Sequence, residues 1–284
     1  MTISSNYLDA FLAVSQTLNF TKAAEKLHIT QSALSQRIIN LENELETSLF
    51  IRDRAGLRLT EAALKLVRYC QIKSNLEAEF LNQLKSTNPH EVAGSIRIGG
   101  FSSVMSSVTL TALAPLIKKN PQVQLQIFNE EMHALFELLK RGEIDYMILD
   151  DRIERAEFER LHLGNEKNVL VEHKNYTGSD IFLDHDAQDM TTINYLKKSK
   201  QPYKDLQRLY LDNVFGIIEG VRLKLGRAVL PLHLVKNEKD FLIINTLQQL
   251  EIPVYLYYFN QPYYSRLHTE TVEALKIGFS KILT

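Results

Sequence analysis

Apolar positions in the first sixty residues recur at helical spacing in short blocks. Leu8, Phe11 and Leu12, with Ser15, fall on one side of a helix predicted from about Tyr7 to Gln16. Phe20 to Leu27 reads as a second short helix, His28-Ile29 as a turn, and Thr30 as the N-cap of a third helix beginning at Gln31. On that third helix Leu34, Ile38, Leu41 and Leu45 form one apolar stripe. Ser32, Ser35, Gln36 and Ile39 point the other way, and Arg37 lies on the flank. Phe50 to Leu59 alternates as a β-ribbon turning at Gly56, and Thr60 caps the next helix. Glu61 to Lys85 holds neither proline nor glycine, so it is predicted as one helix of about 37 Å. Thr87-Asn88-Pro89-His90-Glu91 then breaks it and marks a hinge.

Beyond residue 91 the period changes. Strand candidates at Ser95 to Gly99, Val123 to Phe128 and Ile144 to Leu149 alternate with helices at Val104 to Lys119 and Met132 to Lys140, which predicts a parallel α/β sheet. A second series follows, with strands at Asp180 to Leu183, Leu209 to Leu211 and Ala228 to Leu230 and a helix at Asn213 to Leu225 that Gly226 would cap. Val254 to Phe259 is a candidate strand crossing back, and Leu267 to Leu283 a terminal helix.

Two short helices joined by a tight turn make a helix-turn-helix, whose second helix presents small polar side chains suited to base edges in a major groove. The spacing F-x-x-A-A-x-x-L from Phe20, then T-Q-S-A-L-S-Q-R-I from Thr30, Leu41-Glu42, Leu49-Phe50 and Arg52, resembles the DNA-binding head of LysR-type transcriptional regulators. Two positions depart from that family, which usually has glycine at Glu46 and at Ala63. The DNA-contacting set is Thr30, Gln31, Ser32, Ser35 and Gln36, with Arg37, Arg52 and Arg54 on phosphates. The long helix carries Ala63, Leu66, Val67, Cys70, Leu76, Phe80 and Leu84, more apolar surface than an isolated helix hides. In the resembling family it pairs with its twin, which implies a homodimer or homotetramer.

The same resemblance implies a fold class: α/β, with an N-terminal winged helix-turn-helix, a linker helix, and a two-lobed effector domain like a periplasmic binding protein. The expected domains are 1–60 for DNA binding, 61–91 for linker and hinge, and 92–284 for the effector. Lobe I takes about 92–160 and 260–284, and lobe II about 161–259.

Charge changes this picture little. Across 284 residues, 33 basic and 34 acidic side chains give a net charge of -1, and residues 1–60 balance at six of each, so DNA affinity must come from placement. Arg52, Arg54 and Arg58 cluster, whereas Glu42, Glu44 and Glu46 sit at the far end of the recognition helix. The one cysteine, Cys70, excludes an intrachain disulfide and reads either as a buried structural thiol or as a redox sensor. With no signal peptide and no run of eighteen apolar residues, a soluble cytoplasmic protein without membrane partners is expected.

Ligands of open α/β sheets bind at the carboxyl ends of strands. Four places qualify: Gly99-Gly100-Phe101-Ser102-Ser103, Asn129-Glu130-Glu131, Asp184-His185-Asp186 and Asp212-Asn213. Each acid also fits a helix cap or a solvated loop. The candidate effector residues are Gly100, Phe101, Ser102, Ser103, Glu130, Asp184 and Asp212. The chain has no G-x-S-x-G, H-E-x-x-H, P-loop or zinc-spaced cysteine pair. Asp184, Asp186 and Asp189 lack the glycine and glutamate of a calcium loop, so no enzyme, metal or cofactor is expected.

The expected function is a LysR-type regulator of double-stranded DNA that responds to a small molecule. The alternatives are a solute-binding protein, or an architectural DNA binder without effector. L-H-I-T-Q-S-A-L-S-Q-R-I from Leu27, with F-L-D-H-D-A-Q-D-M at Phe182 to Met190, resembles the family branch that senses arginine or lysine. That implies a ligand carboxylate at Ser102 and Ser103, with cationic groups facing Glu130, Asp184 or Asp212.

Overall fold

The computed structural model describes residues 3–54, 56–85, 91–130, 132–245 and 247–283. Helices α1 (Ser5–Thr17), α2 (Phe20–Lys26) and α3 (Gln31–Leu45) enclose Leu8, Phe11, Leu34, Ile38 and Leu41 of the apolar stripes, together with Val14 and Ala23. Side-chain caps fix both helix starts of the motif. Asn19 Oδ1 accepts from Lys22 N at 3.0 Å, and Thr30 Oγ1 accepts from Ala33 N at 3.2 Å. The turn between them is sharp because His28 takes a left-handed backbone, φ 54°. Helix α3 ends on a second left-handed residue, Glu46 at φ 50°. This conformation costs an ordinary side chain about 1 kcal/mol and explains the family's preference for glycine there.

Strands β1 (Phe50–Asp53) and β2 (Gly56–Leu59) form the predicted antiparallel wing, with Gly56 at φ 114°. Helix α4 (Glu61–Lys85) follows, its start capped where Thr60 Oγ1 accepts from Ala63 N at 3.1 Å. Its first half is buried against the head. Burial pushes the Cys70 thiol up to about 12, as befits a structural thiol rather than a sensor. Its second half leaves Phe80 and Leu84 58% and 67% exposed. Thr87 to His90 of the expected hinge lie outside the described residues.

In the second part, β3 (Gly94–Gly100) runs between parallel neighbours β4 (Val123–Asn129) and β5 (Tyr146–Leu149). The helix expected from Val104 starts earlier and is interrupted. It comprises α5 (Ser102–Val104), a π-turn at Met105–Thr109 and α6 (Leu110–Lys119). Helix α7 (Met132–Lys140) matches expectation.

The expected parallel strands are joined by two long antiparallel strands that tie the lobes together, the later of which was expected from Val254 as a strand crossing back. These are β6 (Phe158–His173) and β11 (Leu250–Phe259). Strand β6 escaped sequence reading because its 16 residues do not alternate cleanly: Gly164, Asn165 and several charges interrupt the apolar positions.

Lobe II adds the parallel pair β7 (Ile181–Asp184) and β8 (Gln207–Tyr210), then β9 (Ala228–Pro231) and β10 (Phe241–Ile244), both on β6. Helices α8 (Thr191–Lys198), α9 (Val214–Arg222) and α10 (Leu232–Val235) cover it, and α11 (Arg266–Leu283) returns to lobe I. Gly226 is not the cap of α9. Lys224 supplies the left-handed residue, and Gly226 is needed because a Cβ would stand 2.6 Å from the Ile181 carbonyl oxygen. Among the described residues no helix is long and apolar enough to cross a membrane.

Candidate DNA interface and effector cleft

At the start of α3, Thr30, Gln31, Ser32 and Gln36 are exposed, and Ser35 and Arg37 are half-buried on the same helix. The capping role of Thr30 takes its oxygen, which also lies 3.0 Å from Ser32 Oγ. Gln36 Nε2 donates to Asn40 Oδ1 at 2.9 Å, and Asn40 Nδ2 donates to the Tyr7 hydroxyl at 3.2 Å, so the glutamine is braced from behind. Thr21, which sequence reading passed over, donates to Gln31 Oε1 at 3.2 Å and joins α2 to the reading helix. Arg52 and Arg54 are exposed on the wing. The Arg52 guanidinium lies 5.8 Å from the Phe20 ring centre, whereas Arg58 is paired with Asp53.

A cleft of about 510 Å³ opens between the lobes. Phe101, Ser102, Ser103, Glu130 and Asp212 of the expected set line it. Two expected residues do not. Gly100 is a packing glycine: a Cβ there would come within 2.7 Å of Met105 Sδ and 3.0 Å of the Ile148 carbonyl oxygen. Asp184 is buried inside lobe II, where Thr192 Oγ1 and Arg208 Nε donate to its carboxylate. Burial raises its carboxyl above the ordinary value, and the bonds from Thr192 and Arg208 pull it back. Glu131 lies outside the described residues.

Other groups complete the cleft. Asp150 follows β5, Asp189 sits in the loop after β7, and Glu166 and Asn168 come from β6. Five carboxylates therefore line it (Glu130, Asp150, Glu166, Asp189, Asp212), and among the described lining residues there is no lysine or arginine. Glu166 is only 4% exposed, and its Oε1 accepts from Ser103 Oγ at 2.9 Å and faces His233 Nε2 at 2.9 Å. The Ser103 hydroxyl proton is thus already committed, which removes it as a donor to a ligand carboxylate.

Residues 5–64 match the bacterial regulatory helix-turn-helix protein, lysR family, and residues 89–278 match the LysR substrate binding domain. The HTH-type transcriptional regulator YofA of Bacillus subtilis (strain 168) is 25% identical over 236 residues, covering 81% of this chain and 81% of its own. HdfR of Yersinia pestis (strain Pestoides F) is 29% identical over 209 residues, 72% of this chain and 67% of its own. Among solved structures, ArgP from Mycobacterium tuberculosis superposes with a TM-score of 0.77 at 20% identity over 99% of each chain. Full-length LysG from Corynebacterium glutamicum with bound effector Arg gives 0.72 at 19% identity, again over 99% of each. A winged helix-turn-helix and a two-lobed cleft domain in the matched segments, with a linking helix between them, place this chain in the LysR family of transcriptional regulators, DNA-binding proteins with an effector-binding domain and not enzymes.

Proposed function

We propose that this regulator responds to a basic amino acid, arginine or lysine, bound in the interlobe cleft. The observation that carries the reading is the ring of five carboxylates with no lysine or arginine among the described lining residues. A guanidinium or ammonium entering the cleft loses water, and only an anionic partner offsets that loss. LysG, whose structure holds Arg, shares the fold. In this reading the cations meet Glu130, Asp150, Asp189 or Asp212. The ligand carboxylate meets the Ser102 hydroxyl and the backbone N–H groups of Ser102 and Ser103. On DNA, Ser32, Ser35 and Gln36 read bases, and Arg37, Arg52 and Arg54 hold phosphates. The division of labour follows residues 1–60, 61–91 and 92–284, and α4 pairs two copies of the chain.

Thermal unfolding with single amino acids tests the effector. At 100 times its dissociation constant a ligand stabilises the fold by about 2.7 kcal/mol, a clear melting shift. Arginine or lysine is expected to raise Tm, and Asp212→Asn to reduce the shift. Stabilisation by a neutral amino acid or an organic acid, with arginine and lysine inert at millimolar concentration, overturns the assignment.

A further inference from the structure

A second cavity, of about 150 Å³, is bounded by β6, α10 with the residue after it, and the last turn of α11, through Lys167, Leu232, His233, Lys236, Ile282 and Leu283, with Gln249 at its edge. Lys167 follows Glu166 on β6, and adjacent strand residues face opposite ways, so Lys167 points away from the effector cleft. Lys236 comes from the end of α10 in lobe II. Neither lysine has an acidic partner among the described residues, and the Gln249 side-chain amide makes no hydrogen bond there. The neighbouring Lys198 bonds only the Gln249 backbone carbonyl, at 2.8 Å.

Two ammonium groups lining one small cavity repel each other unless a counter-charge sits between them. Of the acids near the cavity wall, Glu166 is screened from it by the His233 ring, whose Nε2 lies 2.9 Å from Glu166 Oε1, and Glu251, the cross-strand partner of Lys167, accepts from Asn165 Nδ2 at 3.2 Å. That ring is fully engaged. Its Nδ1 lies 3.2 Å from Ser107 Oγ, and Ser107 gives its one proton to the Ser103 carbonyl.

We propose that this cavity binds a small tetrahedral oxyanion, of phosphate or sulfate type, held by Lys167 and Lys236 and oriented by the Gln249 amide. The apolar floor of Leu232, Ile282 and Leu283 excludes water from one side and strengthens those contacts. The site draws on lobe II through α10, on lobe I through α11 and on the strand that joins them, so a bound anion clips the two lobes together behind the cleft. By linkage, an anion that favours one lobe arrangement alters effector affinity, and the effector alters anion affinity by the same factor.

The test uses the full chain, with calorimetry and melting in phosphate, sulfate, succinate or chloride at matched ionic strength. Phosphate or sulfate is expected to bind saturably. Lys167→Gln and Lys236→Gln should each weaken that binding roughly tenfold, the loss of one charge-assisted contact, while the exposed Lys65→Gln leaves it unchanged. Phosphate and sulfate also stabilise proteins generally by exclusion from their surface. A melting shift that persists undiminished in the Lys167→Gln/Lys236→Gln double variant is that general effect and overturns the site. Saturable binding of succinate without binding of phosphate or sulfate overturns the choice of a tetrahedral anion.

Discussion

Arg208 on β8 closes on the carboxylate of Asp184 on β7, with 11% and 2% of the two side chains exposed. The same guanidinium donates to the Asp189 backbone carbonyl, so it also holds the loop that carries His185 and Asp189 into the cleft. Removing one partner of an enclosed pair leaves the other charge buried, at a typical cost of about 3–5 kcal/mol. Arg208→Ala is therefore expected to destabilise the chain by about that amount in urea unfolding. Asp184→Asn should lower stability while the folded protein keeps its ligand-induced melting shift. Normal stability with the shift abolished would return Asp184 to the binding site.

Base readers and phosphate holders separate by their response to salt and sequence. Gln36→Ala should cost about 1–3 kcal/mol at the cognate operator and little on random DNA. Arg52→Ala should weaken both alike and reduce the slope of log affinity against log salt by about one. Equal losses on operator and random DNA for Gln36→Ala would show that the glutamine reads no base.

The distal half of α4 presents Leu76, Phe80, Leu81 and Leu84 to solvent, all more than two-fifths exposed. Four large apolar residues at helical spacing on one segment need a partner surface. Phe80→Glu places a carboxylate there, and sedimentation is expected to show a shift toward monomer. An unchanged oligomer that still binds DNA would move the interface elsewhere.

The head was legible in the sequence because its signals are local: the cap at Thr30, the turn at His28-Ile29, and one stripe per helix. The cleft was legible only in part. Ser102, Glu130 and Asp212 line it as expected from their places after strands or at a helix start. Asp150 follows a predicted strand in the same way and was overlooked. Glu166 was out of reach, since β6 gains its place by pairing with β11, about ninety residues later in the chain. Asp184 shows the limit of the strand-end rule. The rule locates a backbone position, but whether the side chain enters the cleft or its own lobe depends on which face of β7 it occupies.

His268, at the start of α11, is expected to make the protein acid-sensitive. Burial among Tyr146, Tyr258 and Tyr264 lowers its imidazole from 6.5 to about 4, and Nδ1 lies 2.9 Å from the Tyr146 hydroxyl. Between these two values the unfolded chain binds a proton that the folded chain refuses, so stability is full above about 6.5 and falls as the pH drops toward 4. The interval bounds the loss at roughly 3 kcal/mol. His268→Gln keeps a hydrogen-bonding group for Tyr146 and removes the titration. Urea unfolding from pH 8 to pH 4 should show a shallower decline for the variant than for the parent. Parallel declines would mean that other groups carry the acid sensitivity and that His268 titrates alike in both states.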